Sequence, residues 1–130
     1  MGREQMKHEY RDSAESKLNG ITYHLVVDSE WDVQKNNDYY KPSGFDDDGF
    51  IHCTDGLDLL TQIANMFYKH DPGSRTVLVL DLNKIESEVR YDDSDHLFPH
   101  IYGPLTTSAV IAELPVARAG DGTFTRLGTE

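Results

Sequence analysis

Thr76-Val77-Leu78-Val79-Leu80-Asp81-Leu82 is the most strand-like stretch of the chain. Its aliphatic residues run almost without interruption, which predicts a strand buried on both faces. Just before it, Asp71-Pro72-Gly73 ends a helix, because proline lacks the N–H and clashes with the preceding turn. That helix carries Leu57, Leu60, Ile63, Ala64 and Phe67 at helical spacing, so one apolar stripe is expected to face the core. Asp55 is placed to cap it, with Asp58 in its first turn. Further back, Gly49-Phe50-Ile51-His52-Cys53 reads as a short strand or extended turn. Phe50, His52 and Thr54 then share one side, and Ile51 and Cys53 the other.

Ile21-Thr22-Tyr23-His24-Leu25-Val26-Val27 reads as another strand, with Thr22, His24 and Val26 on one face. Asp28-Ser29-Glu30-Trp31-Asp32 follows as a helix start, with Ser29 as cap and Trp31 docking it to the sheet. On the C-terminal side, a turn at 83–86 leads to a strand at Val89-Arg90-Tyr91. Residues 97–105 are extended and stiffened by Pro99 and Pro104. A strand at 109–114 follows, and Asp121-Gly122 joins 115–118 to 123–127 as a hairpin. With about six strands and two main helices, the pattern is α+β: a small split sheet, mostly antiparallel or mixed. Irregular alternation excludes a doubly wound nucleotide fold.

The chain has 130 residues and a net charge of −11, from 12 Lys plus Arg and 23 Asp plus Glu. That acidity excludes a binder of phosphate backbones, which needs a basic footprint. No apolar run approaches the roughly 20 residues of a membrane helix. Cys53 is the one cysteine, so an internal disulfide is excluded. The N-terminus has no apolar core of a secretory signal, and a cytoplasmic location is the expectation. Residues 1–20 balance four basic against four acidic side chains. They are expected to form a polar extension, and 21–130 a single α+β domain. The acidic runs at Asp46-Asp47-Asp48 and Asp92-Asp93-Ser94-Asp95 separate apolar segments and read as loops.

His24, His52 and His100 stand in apolar, structured segments, unlike His8, His70 and His96. An imidazole serves as acid, base or hydrogen-bonding clamp, or as a buried ring satisfied by the backbone. No spacing favours a metal site, and Pro99 prevents a helical pairing of His96 with His100. Cys53 is a poor nucleophile for His52, since strand neighbours point to opposite faces, and is expected to be a small buried hydrophobe. No phosphate-binding glycine loop or nucleophile elbow is present. Tyr102 follows His100 by two residues and can share its face.

Three segments together resemble the domain of unknown function 952 family. They are Tyr23-His24-Leu25 followed by Trp31, Gly49-Phe50-Ile51-His52-Cys53-Thr54, and Phe98-Pro99-His100-Ile101-Tyr102-Gly103-Pro104-Leu105 followed by Ala109-Val110. The resemblance spans about residues 21–126. It implies a fold similar to the ADP-ribosyltransferase-like fold, in which a His on the first strand contacts a ribose; His24 is the matching position. It implies pocket roles for His52, Thr54, His100 and Tyr102. Tyr40 matches a family tyrosine after the first helix, and Gln62 a family glutamine in the helix after the His-Cys-Thr motif. Where the family carries Glu after an aromatic residue, this chain has Tyr91-Asp92, one methylene shorter.

The functional expectation is a histidine-lined pocket for a small molecule such as a nucleotide or ribose-containing ligand. NAD is the cofactor candidate, with His52, His100 and Asp92 as candidate catalytic groups for NAD- or ADP-ribose-related transferase or hydrolase chemistry. His24, Tyr40, Thr54, Gln62 and Tyr102 are the candidate ligand contacts. A non-catalytic ligand- or protein-binding module is the alternative. An anionic ligand would need local positive charge, for which a protonated His, Lys41 and Arg90 are the candidates.

Overall fold

The computed structural model describes residues 9–128. Its central strand, β4 (Arg75–Asp81), lies between β1 (Ile21–Val27) and β8 (Val110–Leu114) and is antiparallel to both. Val77, Leu78, Val79 and Leu80 are all buried, as their unbroken apolarity predicts. Leu78 and Leu80 enter one apolar cluster with Val26, Trp31, Tyr40, Ile51 and Ile101. Val77 and Val79 enter a second, with Ile21, Tyr23, Leu57, Leu60 and Phe124. The sheet is therefore the middle layer between two cores.

One face is covered by α4 (Leu57–Tyr68) and the hairpin β9 (Val116–Arg118)–β10 (Phe124–Leu127). Asn65 clamps helix to hairpin: its amide donates to the Phe124 carbonyl at 2.9 Å and accepts the Phe124 N–H at 2.7 Å. The Arg118 guanidinium donates to the carbonyls of Tyr68 and Lys69, each at 3.2 Å, satisfying the helix C-terminus. The expected apolar stripe holds for Leu57, Leu60 and Ala64, but Phe67 is 65% exposed.

The other face is covered by β3 (Ile51–His52), β6 (Pro99–Tyr102) and β5 (Glu88–Tyr91), antiparallel in the order β3-β6-β5. Beside them β2 (Tyr39–Tyr40) pairs with β7 (Leu105–Thr106). Ile51, Ile101 and Val89 are register partners, and that apolar row packs onto the first cluster. Every strand pairing among the described residues is antiparallel, so the architecture is α+β with several small antiparallel sheets.

Four expectations need correction. The helix after β1 is only α2 (Asp28–Asp32), without a side-chain cap, and Ser29 is exposed. Residues 33–38 offer no apolar face to extend it, so α4 alone is a long helix among those described. Asp46, Asp47 and Asp48 form most of a one-turn helix, α3 (Phe45–Asp48), which Gly49 ends at φ +81°. Asp55 does not cap α4. Gly56 occupies that position, and Asp55 turns inward, where it accepts the Tyr91 hydroxyl at 2.7 Å.

Finally, residues 9–20 are built into the fold rather than extending from it; residues 1–8 lie outside those described. The helix α1 (Ser13–Leu18) is capped by Asp12, which accepts the Glu15 N–H. Ser13 donates to the Asp55 carbonyl at 2.6 Å, and Arg11 to the Leu127 carbonyl at 3.0 Å. The fully buried Ser16 bonds the Ile21 carbonyl. A Cβ at Gly56, at φ +100°, would meet backbone atoms of 11–13 at 2.9–3.1 Å. The polar side chains of this segment satisfy buried carbonyls, a role that composition does not reveal.

The two-sided burial of β4 sets an expected outcome. Leu78→Ala should cost about 2–5 kcal/mol in urea unfolding, whereas Leu18→Ala, at a side chain 86% exposed, should change stability by less than about 0.5 kcal/mol.

Candidate functional site

The apolar row of β3, β6 and β5 fixes what lies on the reverse of that sheet. His52 is the register partner of His100, and His100 of Arg90. Tyr102, two residues beyond His100, falls on the same face. The His52 and His100 ring centroids are 5.5 Å apart. Phe50 fills the corner between them, stacked on His100 at 3.9 Å and edge-on to His52 at 4.8 Å. It is also 5.3 Å from the Tyr102 ring.

Each of these histidines carries a carboxylate. His52 Nε2 lies 3.1 Å from Asp48 Oδ2, an oxygen that α3 delivers four residues earlier. His100 Nδ1 lies 3.0 Å from Asp92 Oδ2, which also accepts the Tyr102 hydroxyl. The Tyr102 hydroxyl and then the His100 ring hold the Asp92 carboxyl below the usual carboxylate range. The same bond pushes the Tyr102 hydroxyl up. His52 Nδ1 and His100 Nε2 have no hydrogen-bond partner among the described residues. Asp92 thus reaches His100 in spite of its shorter side chain.

His24 supports this pair from below. It is 5% exposed, and its Nδ1 lies 2.6 Å from the His52 carbonyl. A carbonyl only accepts, so Nδ1 carries the proton and Nε2 accepts the Tyr40 hydroxyl at 3.3 Å. Tyr40 is wedged edge-on against Trp31 at 5.4 Å. Burial lowers the His24 pKa to about 4, opposed by the His52 carbonyl bond. The ring is therefore a neutral clamp on the His52 backbone. Both of its nitrogens are engaged within the protein, so a ribose contact at His24 would have to displace the longer bond to Tyr40.

Two adjoining cavities open around this cluster. One, of about 470 Å³, is lined by His52, Thr54, Phe67, Phe98 and His100 among others. The second, of about 320 Å³, is lined by His24, Tyr40, Asp48, Phe50, His52 and Arg75 among others. His52, Thr54, Ile63 and Tyr68 line both, which makes His52 the hub of one joined cleft. Tyr102 and Asp92 touch it through His100. Gln62 is exposed and lines neither cavity. Cys53 is buried behind His52, and burial pushes its thiol up, which removes it as a nucleophile. Of the expected sources of positive charge, neither Lys41 nor Arg90 lines the cleft. Lys41 lies over the Phe45 ring, and Arg90 donates twice to Glu88 and stacks on Tyr102.

Phe50, Asp48, Phe67 and Arg75 were not among the residues the sequence singles out. The i, i+4 spacing of Asp48 and His52, and the shared side of Phe50 and His52, were readable signals. Nothing local marks Phe67 or Arg75.

A model of a family of proteins of unknown function, DUF952, matches residues 25–113. The chain belongs to the DUF952 family. No curated protein matches it. The crystal structure of CC0527 from Caulobacter crescentus is similar at a TM-score of 0.68 and 21% identity, covering 81% of this chain and 93% of that one. Its solution NMR structure gives 0.65 and 22%, covering 82% and 92%. At this identity the likeness shows the fold alone. Among the described residues, no helix of this DUF952 protein is long and apolar enough to cross a membrane.

The neutral state of His24 makes stability depend on pH. An unfolded histidine binds its proton near 6.5, the folded one near 4. Between those values the unfolded chain holds more protons, so stability falls as pH falls, on the order of 3 kcal/mol in total. Asp55, whose carboxyl burial pushes up above the usual carboxylate range, acts in the opposite direction. Unfolding measured from pH 6.5 to 4 should show a shallower loss in His24→Gln than in the native sequence, with Asp55 unchanged in both.

Proposed function

We propose that the joined cleft binds a small ribose-bearing molecule, of the nucleoside or nucleotide class, with His52 and His100 as an acid–base pair. The observation that carries this reading is the convergence of the two rings at 5.5 Å, each with a carboxylate on one nitrogen and, among the described residues, no partner on the other. A carboxylate fixes an imidazole's tautomer and stabilises its charged form, which suits proton transfer. Phe50, Phe67 and Phe98 provide aromatic walls for a planar base. The resemblance to ADP-ribosyltransferase-like folds, with His24 on the first strand, supports the choice of a ribose and includes NAD among the ligands.

The reaction this pair suits is hydrolysis at the sugar. Water oxygen bonds to the anomeric carbon and one imidazole takes a water proton. The carbon–nitrogen bond breaks with its electron pair going to the base; from a neutral nucleoside the second ring, as imidazolium, gives that nitrogen a proton, whereas a pyridinium base, as in NAD, leaves already neutral and needs none. A neutral nucleoside plus water gives free sugar plus free base; a pyridinium ligand plus water gives the same two products and one proton, which passes from the first imidazole to solvent.

Calorimetric titration with adenosine, guanosine, uridine, ADP-ribose and NAD tests binding, and chromatography of the mixtures tests turnover. Binding in the millimolar range or tighter is expected, lost in His52→Ala and in His100→Ala. His52 has a side chain 61% exposed, so its variant should keep the native circular dichroism. Turnover, where present, should fall about 10²–10⁴-fold in either variant. No binding by any of the five would overturn the proposal. Binding without turnover would make the site a non-catalytic ligand module.

A further inference from the structure

Charge separates the ligands this cleft can hold. Among the described residues its lining contains Glu30, Asp48, Asp71 and Asp93 against one permanently charged cation, Arg75, beside the imidazoles of His52 and His100. Arg75 is already committed. Its side chain is 5% exposed, it donates to Asp71 at 2.7 Å, and its guanidinium lies over the Tyr68 ring at 4.4 Å.

The carboxylates are held in place as acceptors. Glu30 takes the Ser43 N–H and hydroxyl, both at 2.9 Å. Asp93 accepts the N–H groups of Leu97 and Phe98. Burial works to raise the Asp93 carboxyl, yet these donors outweigh it and keep the carboxyl below its usual range. Just outside the cleft, Asp92 adds another negative charge behind His100. Lys41 and Arg90 are turned to other partners, as described above. A phosphate entering here would face four carboxylates, and apart from the His52 and His100 imidazoles the one cation to receive it is an arginine already paired with Asp71.

The walls favour the opposite charge. Phe67 and Phe98 line the first cavity with Asp93, Phe50 lines the adjoining one with Glu30, Asp48 and Asp71, and Phe67 is largely uncovered. An aromatic face attracts a delocalised cation through its quadrupole, and nearby carboxylates strengthen that attraction where water is partly excluded. We propose that the cleft selects a planar organic cation carried on an uncharged sugar, and discriminates against phosphorylated forms. This rests on the small-molecule reading above and narrows it.

The test is calorimetry at low salt with three matched probes. Nicotinamide riboside is a planar cation, its reduced form is neutral with nearly the same outline, and nicotinamide mononucleotide adds a phosphate. The riboside should bind about tenfold more tightly than either of the others, with the margin shrinking at high salt. The double variant Asp48→Asn/Asp71→Asn should erase the margin while circular dichroism stays native, since both side chains are about half exposed. Equal binding of the riboside and its reduced form, or preference for the mononucleotide, overturns the inference alone. So does a persistent margin in the folded double variant. Failure of all three probes while a nucleoside of the first panel binds also overturns the inference alone. Failure of both sets overturns the proposed function with it.

Discussion

The constraint on which the molecule depends is that β4 has no solvent face. A strand apolar on both sides must be covered twice, and each cover is a different kind of structure. A helix and a hairpin close one side. Small antiparallel sheets close the other. Because those sheets present only one apolar row to the core, their opposite row is left for other work. His52, His100, Tyr102 and Arg90 occupy it. The candidate site is thus the outer face of a layer whose inner face is required for stability.

The three histidines divide by depth. His24 lies on the face of β1 turned toward the first core, where burial keeps its ring neutral and its two nitrogens serve the His52 carbonyl and Tyr40. His52 is exposed and His100 partly buried, each steadied by a carboxylate. A buried ring that positions and two outer rings that are positioned, His52 exposed and His100 partly buried, form a connected arrangement that gives the cleft its definition. The acidic groups around it are part of the same arrangement. Asp48 and Asp92 are ligands of imidazole rather than members of anonymous solvated loops.

Much of this was legible in the linear chain. Unbroken apolarity identified β4, alternation placed Phe50 and His52 on one side with Cys53 on the other, and three histidines in apolar settings pointed to the candidate site. What was not legible followed from contacts between distant segments. The polar residues 9–20 look detachable by composition, yet Ser13, Ser16 and Arg11 satisfy carbonyls of Asp55, Ile21 and Leu127. Asp55 has the position of a helix cap, but the Tyr91 hydroxyl offered it a partner inside. Phe67 fits the core stripe by spacing, but it lies near the end of α4, beside an open cavity.

The sequence by itself determined most of the longer strands, the α+β class, the family and the polarity of those strand faces, because these follow from residue volume, hydropathy and backbone periodicity; the two-residue strands β2 and β7 were too short to show a period. Only the tertiary structure decided that His52 stands opposite His100, that Asp48 and Asp92 serve them, and that Lys41 and Arg90 face elsewhere. Those outcomes depend on the register between strands and on competition among partners for each charge, and neither is set by any local run of residues.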